Sequence, residues 1–247
     1  MEPAGRTSKG EQTRERILDA ALDLFRTQGY ADTTMRQIAQ AAGVAVGNAY
    51  YYFASKDQLI LAFYERNHAD HLAVLGSALD GTKEFGERLR TLVRTKVDSA
   101  MPYRRLSTKL FTSAADPESP LSPFSPESAP LRGEAIALMA EVVDGSSLRV
   151  GKDLRDDLPE LLWLYEMGVI LYWVHDSSEG CANTYALIDK TVPIVERLVG
   201  IAKLPVIRPM VRELVGMLDE LRMPTTGELP VGARATGEYG LDDAPKR

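Results

Sequence analysis

Between Thr33 and Lys56 the chain carries two basic side chains, Arg36 and Lys56, and no acid. Around them stand Thr34, Asn48, Tyr50, Tyr51 and Tyr52, all able to hydrogen-bond. Arginine and lysine neutralise phosphates, asparagine can pair with adenine, and apolar groups touch a thymine methyl. This offers recognition of a polyanion, not bond-breaking chemistry. The net charge of −6 argues the other way. Its distribution restores the case, because residues 1–56 hold seven Lys/Arg against six acids and the deficit lies in the remainder. Phosphates meet a local surface, not an average.

Catalytic and metal readings are weak. One cysteine, Cys181, excludes a disulfide framework and a cysteine-ligated zinc site. His68 and His71 stand at i, i+3, with Asp70 between them and no third ligand nearby, which reads as a solvated helix face. There is no Gly-rich phosphate loop and no G-x-S-x-G elbow. No catalytic residue, metal or cofactor is therefore expected. The longest apolar run, Leu161 to Val174, is short and interrupted by Glu166, so no membrane span is expected either. The N-terminus does not read as a leader, and the expected location is the cytoplasm.

The elements that position these residues read as helices. Ile17, Ala20, Ala21, Leu24 and Phe25 recur with helical period, and Gly29 is a stop signal. Thr34-Met35-Arg36-Gln37 has capping-box spacing and begins a second helix that Gly43 ends. A third runs from about Val46 to Tyr52. Small residues at Ala39, Ala42 and Ala49 let these helices cross closely, as a helix-turn-helix requires. The exposed face of the third helix carries Val46, Gly47, Asn48, Tyr50 and Tyr51. Further helices are expected near 57–79, 83–100, 103–115, 131–149, 157–176, 183–201 and 206–222. Asp116 to Pro130 holds five prolines and reads as a loop, long enough for Leu121 and Phe124 to sit on a flexible lid.

The string from Ile17 to Leu61 resembles the TetR (tetracycline repressor) family of bacterial regulators. The matching elements are Ile17 to Phe25, Gly29-Tyr30, Thr33 to Ala39, Ala42 to Val44, Tyr50 to Phe53 and Lys56 to Leu59. The resemblance implies that Thr34 caps the second helix and touches a phosphate, and that Arg36 reaches a base or the backbone. It implies that Asn48, Tyr50 and Tyr52 line the DNA face and that Lys56 meets a phosphate. Ala45 stands where the family often has Ser or Thr, so the third helix lacks a cap worth about 1 kcal/mol.

The second half suggests a ligand-binding core. The run Leu161 to Val174 is apolar on all sides, as in a helix buried on every face. Tyr165, Val169, Tyr172 and Trp173 share a broad stripe suited to a mainly apolar small molecule, with Phe111 and Phe124 as further candidates. Glu166 is either a ligand anchor or the partner of an internal arginine or backbone group. Ile207, Val211, Leu214, Leu218 and Leu221 form a seam of coiled-coil spacing, and the preceding helix supplies Leu187, Ile194 and Leu198 on one side. The resemblance implies that these two helices pair with their mates in a two-fold bundle.

The expected fold is all-α: an N-terminal three-helix helix-turn-helix DNA-binding domain, then a helical ligand-binding and dimerisation domain. The expected boundaries are 1–56, 57–223 and a tail over 224–247. The expected partners are a double-stranded DNA operator, a small-molecule effector and a second copy of the chain. The competing reading is an all-helical enzyme or ligand-binding module whose N-terminal unit contacts protein.

Overall fold

The computed structural model describes residues 8–202, and among these every regular element is helical. The element order is α1 (Lys9–Thr27), α2 (Met35–Ala41), α3 (Val46–Tyr52), α4 (Lys56–Leu79), α5 (Phe85–Ala100), α6 (Arg104–Ala115), α7 (Ala129–Asp144), α8 (Lys152–His175) and α9 (Ala182–Ala202). Short 3-10 turns join α5 to α6 and α8 to α9. The expected helix at 206–222, the seam residues Ile207, Val211, Leu214, Leu218 and Leu221, and the tail lie outside the described residues.

Local chemistry fixes the boundaries of the first three helices. Ser8 and Glu11 form a reciprocal capping box at the start of α1, which satisfies two otherwise orphaned backbone donors. Gly29 ends α1 at φ 98°, with its amide bonded to the carbonyl of Phe25. Thr34 and Gln37 form the expected capping box on α2. Gly43, at φ 66°, closes α2 through bonds from its own amide to Gln40 and from Val44 to Ala39. Those two bonds are the paired closure that only a left-handed residue permits cheaply. Ala45 heads α3 with no side-chain cap.

Two hydrophobic cores share one long helix. Ile17, Leu18, Phe25, Ile38, Ala49 and Phe53 gather the first three helices. Leu59, Ile60 and Phe63 of α4 belong to this core, as do Leu106 and Leu110 of α6. The second core begins at Leu75 on α4 and takes in α5, α7, α8 and α9. Arg88, buried in α5, donates to the carbonyls of Leu79, Thr82, Glu141 and Val142. One guanidinium thus serves the carbonyl-rich ends of α4 and α7, where partial negative charge accumulates.

Three expectations change. Helix α7 ends at Asp144, not near 149, because Gly145-Ser146-Ser147 breaks it and Ser147 turns its amide to Lys83. Helix α8 is not buried on every face: Leu164, Leu171 and Tyr172 are exposed, because α5, α7 and α9 cover only part of its surface. The proline-rich loop is not a flexible lid. Its Ser-Pro repeat builds successive turns, with Ser119 bonded to Asp116, Ser122 to Ser119 and Ser125 to Ser122. Each turn has proline at its second position, where the ring pre-sets φ. Leu121 is buried in the first core, and Arg132 holds the carbonyls of Pro123 and Ser125.

Candidate nucleic-acid interface and ligand site

The short α3 lies across α2 with only Ala49 fully buried, so its other residues are free to face outward. Val46, Gly47, Asn48, Tyr50 and Tyr51 are all exposed, and Tyr51 is 80 % exposed. Tyr52 is instead half-buried against the first core, its ring edge-on to Tyr51 at 5.2 Å. Tyr50 and Tyr51 therefore stand out of this helix, and Tyr52, which the resemblance placed on the DNA face, does not. Helical geometry decides this, since positions 49, 52 and 53 face the first core while 47, 48, 50 and 51 face away.

Flanking groups split into free and engaged. Arg36 is exposed, with no hydrogen bond or ion pair from its side chain among the described residues. The Thr34 hydroxyl is committed to the cap, accepting from the Gln37 amide at 3.3 Å and donating to the Gln37 carboxamide at 2.8 Å. Lys56 is also occupied: its ammonium donates to the carbonyls of Tyr30 and Ala31 and stands 4.5 Å above the Tyr30 ring. Tyr30 in turn hydrogen-bonds Asp57, which with burial pushes its phenol well above the usual range.

The candidate ligand residues of the second core do not converge on one surface. Trp173 and Val169 are buried, whereas Tyr172 and Phe124 are exposed. Phe124 meets the edge of Trp163 at 5.4 Å, and Phe111 packs against His175 at 5.0 Å. The Tyr165 hydroxyl is 2.7 Å from Thr191 Oγ1, which ties α8 to α9. Glu166 is 3 % exposed, and the charge that acts on it comes from Lys96 of α5 rather than from an arginine. Burial raises the carboxyl pKa and Lys96 opposes the rise; for Lys96 burial lowers the pKa and Glu166 opposes. Glu166 lies within the second core, and Lys96 is half-buried at its side.

His68 and His71 do not form a solvated face. Both are buried, His68 with Nε2 3.5 Å from Glu134 and His71 with Nε2 3.0 Å from Thr95 Oγ1. Burial, then Lys96, lowers the pKa of each, to about 4 for His71. The sequence did hold a trace of this placement, because His68, His71, Leu75 and Leu79 share one helical stripe. Lys96 lies beside the buried stripe Leu89, Leu92, Val93 and Val97 and was missed for the same reason: charge was read as exposure. Among the described residues no group of three or more His, Cys, Asp or Glu is placed to hold a metal, and no helix is long and apolar enough to cross a membrane.

Comparison with known proteins matches both halves. Residues 17–63 match the family described as bacterial regulatory proteins, tetR family, and residues 88–217 match the tetracyclin repressor-like C-terminal domain. The chain belongs to the TetR family. These descriptions are of regulators, not of enzymes. A relative from Xanthobacter autotrophicus, an uncharacterized HTH-type transcriptional regulator in the dhlA 5' region, is 36% identical over 96 residues, 38% of this chain and 47% of its own. The HTH-type transcriptional regulator SrpR of Pseudomonas putida is 46% identical over 55 residues, 22% of this chain and 26% of its own. The chain thus spans less than half the length of these curated relatives.

Solved structures extend the likeness across both TetR domains. A TetR transcriptional regulator from Nitrosomonas europaea superposes with a TM-score of 0.58 at 18% identity, covering 74% of this chain and 97% of that one. FadR of Thermus thermophilus, a TetR-family transcriptional repressor solved with lauroyl-CoA, gives a TM-score of 0.54 at 25% identity, covering 72% and 92%. The likeness to the Nitrosomonas structure establishes the fold alone.

Proposed function

We propose that the chain is a ligand-responsive transcriptional regulator, a repressor that binds a pseudo-palindromic operator as a homodimer in the cytoplasm. A small, mainly apolar effector bound in the helical domain releases it. The observation that carries this reading is the outward face of α3: five exposed residues, a hydrogen-bonding asparagine and two tyrosines, set in a window without acids. A short helix presented this way fits the major groove, with its first residues at the base edges.

Two further features support the dimer and the response. Rows of exposed apolar side chains run along α8 (Leu164, Leu171, Tyr172) and α9 (Ile194, Leu198, Ile201), a surface suited to a second copy. Helix α6 links the two cores. Its Leu106 and Leu110 pack in the first, while Arg104 donates to the carbonyls of Trp173 and Asp176 at the end of α8. A ligand that favours one placement of α8 thereby biases the DNA-reading unit, to the extent of its differential affinity. The complex of the Thermus FadR with lauroyl-CoA supports a small-molecule effector.

The deciding experiment is an electrophoretic shift with the duplex lying upstream of the chain's own coding region, followed by footprinting. The expected result is a discrete complex protecting two half-sites about 34–36 Å apart, or a whole number of helical turns. Retention of random duplex to the same degree, or no retention, overturns the reading.

A further inference from the structure

From Gln37 to Ser55 no side chain carries a charge, and this span contains the whole of α3. The outward residues of that helix are Val46, Gly47, Asn48, Tyr50 and Tyr51, each of them exposed. Asn48 and the two tyrosines make no side-chain hydrogen bond among the described residues, so their polar atoms are left for a partner. The cations that bracket the span do not supply what α3 lacks. Arg36 belongs to α2, and Lys56 is committed to the carbonyls of Tyr30 and Ala31.

The major-groove edge of each base asks for a different partner. Guanine shows two acceptors, N7 and O6, which a guanidinium or an ammonium fills by donating twice. Cytosine shows its N4 amino group, which a carboxylate accepts. Neither a cation nor a carboxylate stands on α3. Adenine shows N7 as acceptor beside its N6 amino group as donor, the complement of one asparagine carboxamide. Thymine shows a C5 methyl, which fits an apolar surface. Asn48 and Val46 are those two groups, and they lie in the first turn of the helix, the turn nearest the base edges. Gly47 stands between them, and a Cβ at that position would meet nothing within 4 Å. Its missing side chain lets the backbone come close to the floor of the groove, which shortens the reach required of two short side chains.

We propose that α3 reads A·T pairs: Asn48 donates to N7 and accepts from N6 of an adenine, and Val46 packs on the C5 methyl of a thymine. The proposal rests on the chain binding an operator, and it names the base content beneath one helix. A guanine in place of the adenine sets its O6 against the Asn48 carboxamide oxygen, acceptor against acceptor. A cytosine in place of the thymine lacks the methyl. Tyr50 and Tyr51 lie one turn further along the same face. Their hydroxyls donate or accept with equal ease, so they add affinity without choosing a base. A guanine that the protein requires lies outside the footprint of α3.

The test uses the full-length protein and selection of binding sites from a random duplex pool, for the wild type and for Asn48→Ala. The selected half-site is expected to hold one adenine whose preference disappears in Asn48→Ala while preferences elsewhere persist. The wild-type protein then meets changes of single groups in the selected duplex. 7-Deazaadenine at that adenine removes the N7 acceptor alone and is expected to weaken binding about tenfold. Deoxyuridine in place of a neighbouring thymine removes the methyl alone and is expected to weaken binding about fourfold. These changes are made in the DNA, so they decide the matter even if a variant fails to fold. Loss of preference at a guanine or cytosine in Asn48→Ala overturns the proposal, and so does a folded Asn48→Ala that keeps every preference. Indifference to 7-deazaadenine at every adenine, or to deoxyuridine at every thymine, overturns it as well. A defined selected site with any of these results keeps the regulator and loses the A·T reading. A pool in which no sequence is enriched removes the regulator reading itself, and this one with it.

Discussion

Lys56 Nζ donates to the carbonyl of Tyr30 at 2.7 Å, across 26 positions of sequence, and clamps the first turn of α4 onto the turn that follows α1. The same ammonium lies over the Tyr30 ring, while Asp57 takes the Tyr30 hydroxyl. Two adjacent residues of α4 thus hold one tyrosine by both ends. This changes what a lysine at this position is expected to do.

Lys56→Ala should lower thermal stability by about 1–2 kcal/mol, from a charge-assisted hydrogen bond and a partly exposed cation–π contact. The salt dependence of operator binding should change little. Chemical denaturation and a salt series of shift assays check the two halves. A smaller salt slope with unchanged stability would return Lys56 to the phosphate surface.

Arg36 offers the contrast. It is exposed on α2 with no hydrogen bond or ion pair among the described residues, so Arg36→Ala should leave the melting temperature within error. Operator affinity should fall by roughly 1–3 kcal/mol if the side chain reads a base, or the salt slope should shrink by about one if it meets a phosphate. Fluorescence anisotropy at several salt concentrations distinguishes these. A variant that binds as wild type removes Arg36 from the interface.

Ala45 heads α3 without a side-chain cap, yet its backbone is extended as a cap requires, at φ −65° and ψ 146°. Ala45→Ser should therefore stabilise the protein by about 0.5–1 kcal/mol, with its hydroxyl accepting from the Asn48 amide. The denaturation midpoint reports it. A midpoint below that of wild type would mean that the serine finds no amide to cap.

His71 makes stability depend on pH. Its pKa is pushed down to about 4 by burial and then by Lys96 and His68, against the pull of the Leu92 carbonyl. The unfolded chain binds this proton near 6.5 and the folded chain does not, so stability is full above 6.5 and is lost as pH falls toward 4. The slope reaches about 1.4 kcal/mol per pH unit. Melting curves from pH 7.5 down to 4.5 should flatten in His71→Gln, leaving the smaller contribution of His68. Parallel curves for the two proteins would contradict the assignment.

The exposed rows on α8 and α9 lead to a last expectation. Ile194→Glu with Leu198→Glu places carboxylates in the proposed seam, where burying them unpaired is costly. Both positions are exposed in the single chain, Leu198 at 61 %, so the folded protomer should survive. Sedimentation at micromolar concentration should show monomer. A dimer that persists would move the interface elsewhere.

The three-helix N-terminal unit was largely legible in the sequence. Gly29, Gly43, the Thr34–Gln37 box and the small residues Ala39, Ala42 and Ala49 are local devices whose geometry follows from residue type and spacing. Such rules act over a few residues, so a linear string contains them whole. The missing cap at Ala45 was visible for the same reason.

The interior of the second domain was not legible. Sequence read His68 and His71 as solvated, α8 as covered on all faces, and the proline-rich segment as a mobile lid. Packing reversed each of these. Lys96 and Glu166 are 70 positions apart, and nothing local tells either one that it will be buried beside the other. The packing of α4 against α5 and α7 covers both imidazoles, while Leu164 and Leu171 of α8 stay exposed. Local hydrogen bonding and periodicity fix where helices start and stop. Which faces meet, and so which charges are stripped of water, depends on contacts between distant segments that only the assembled bundle brings together.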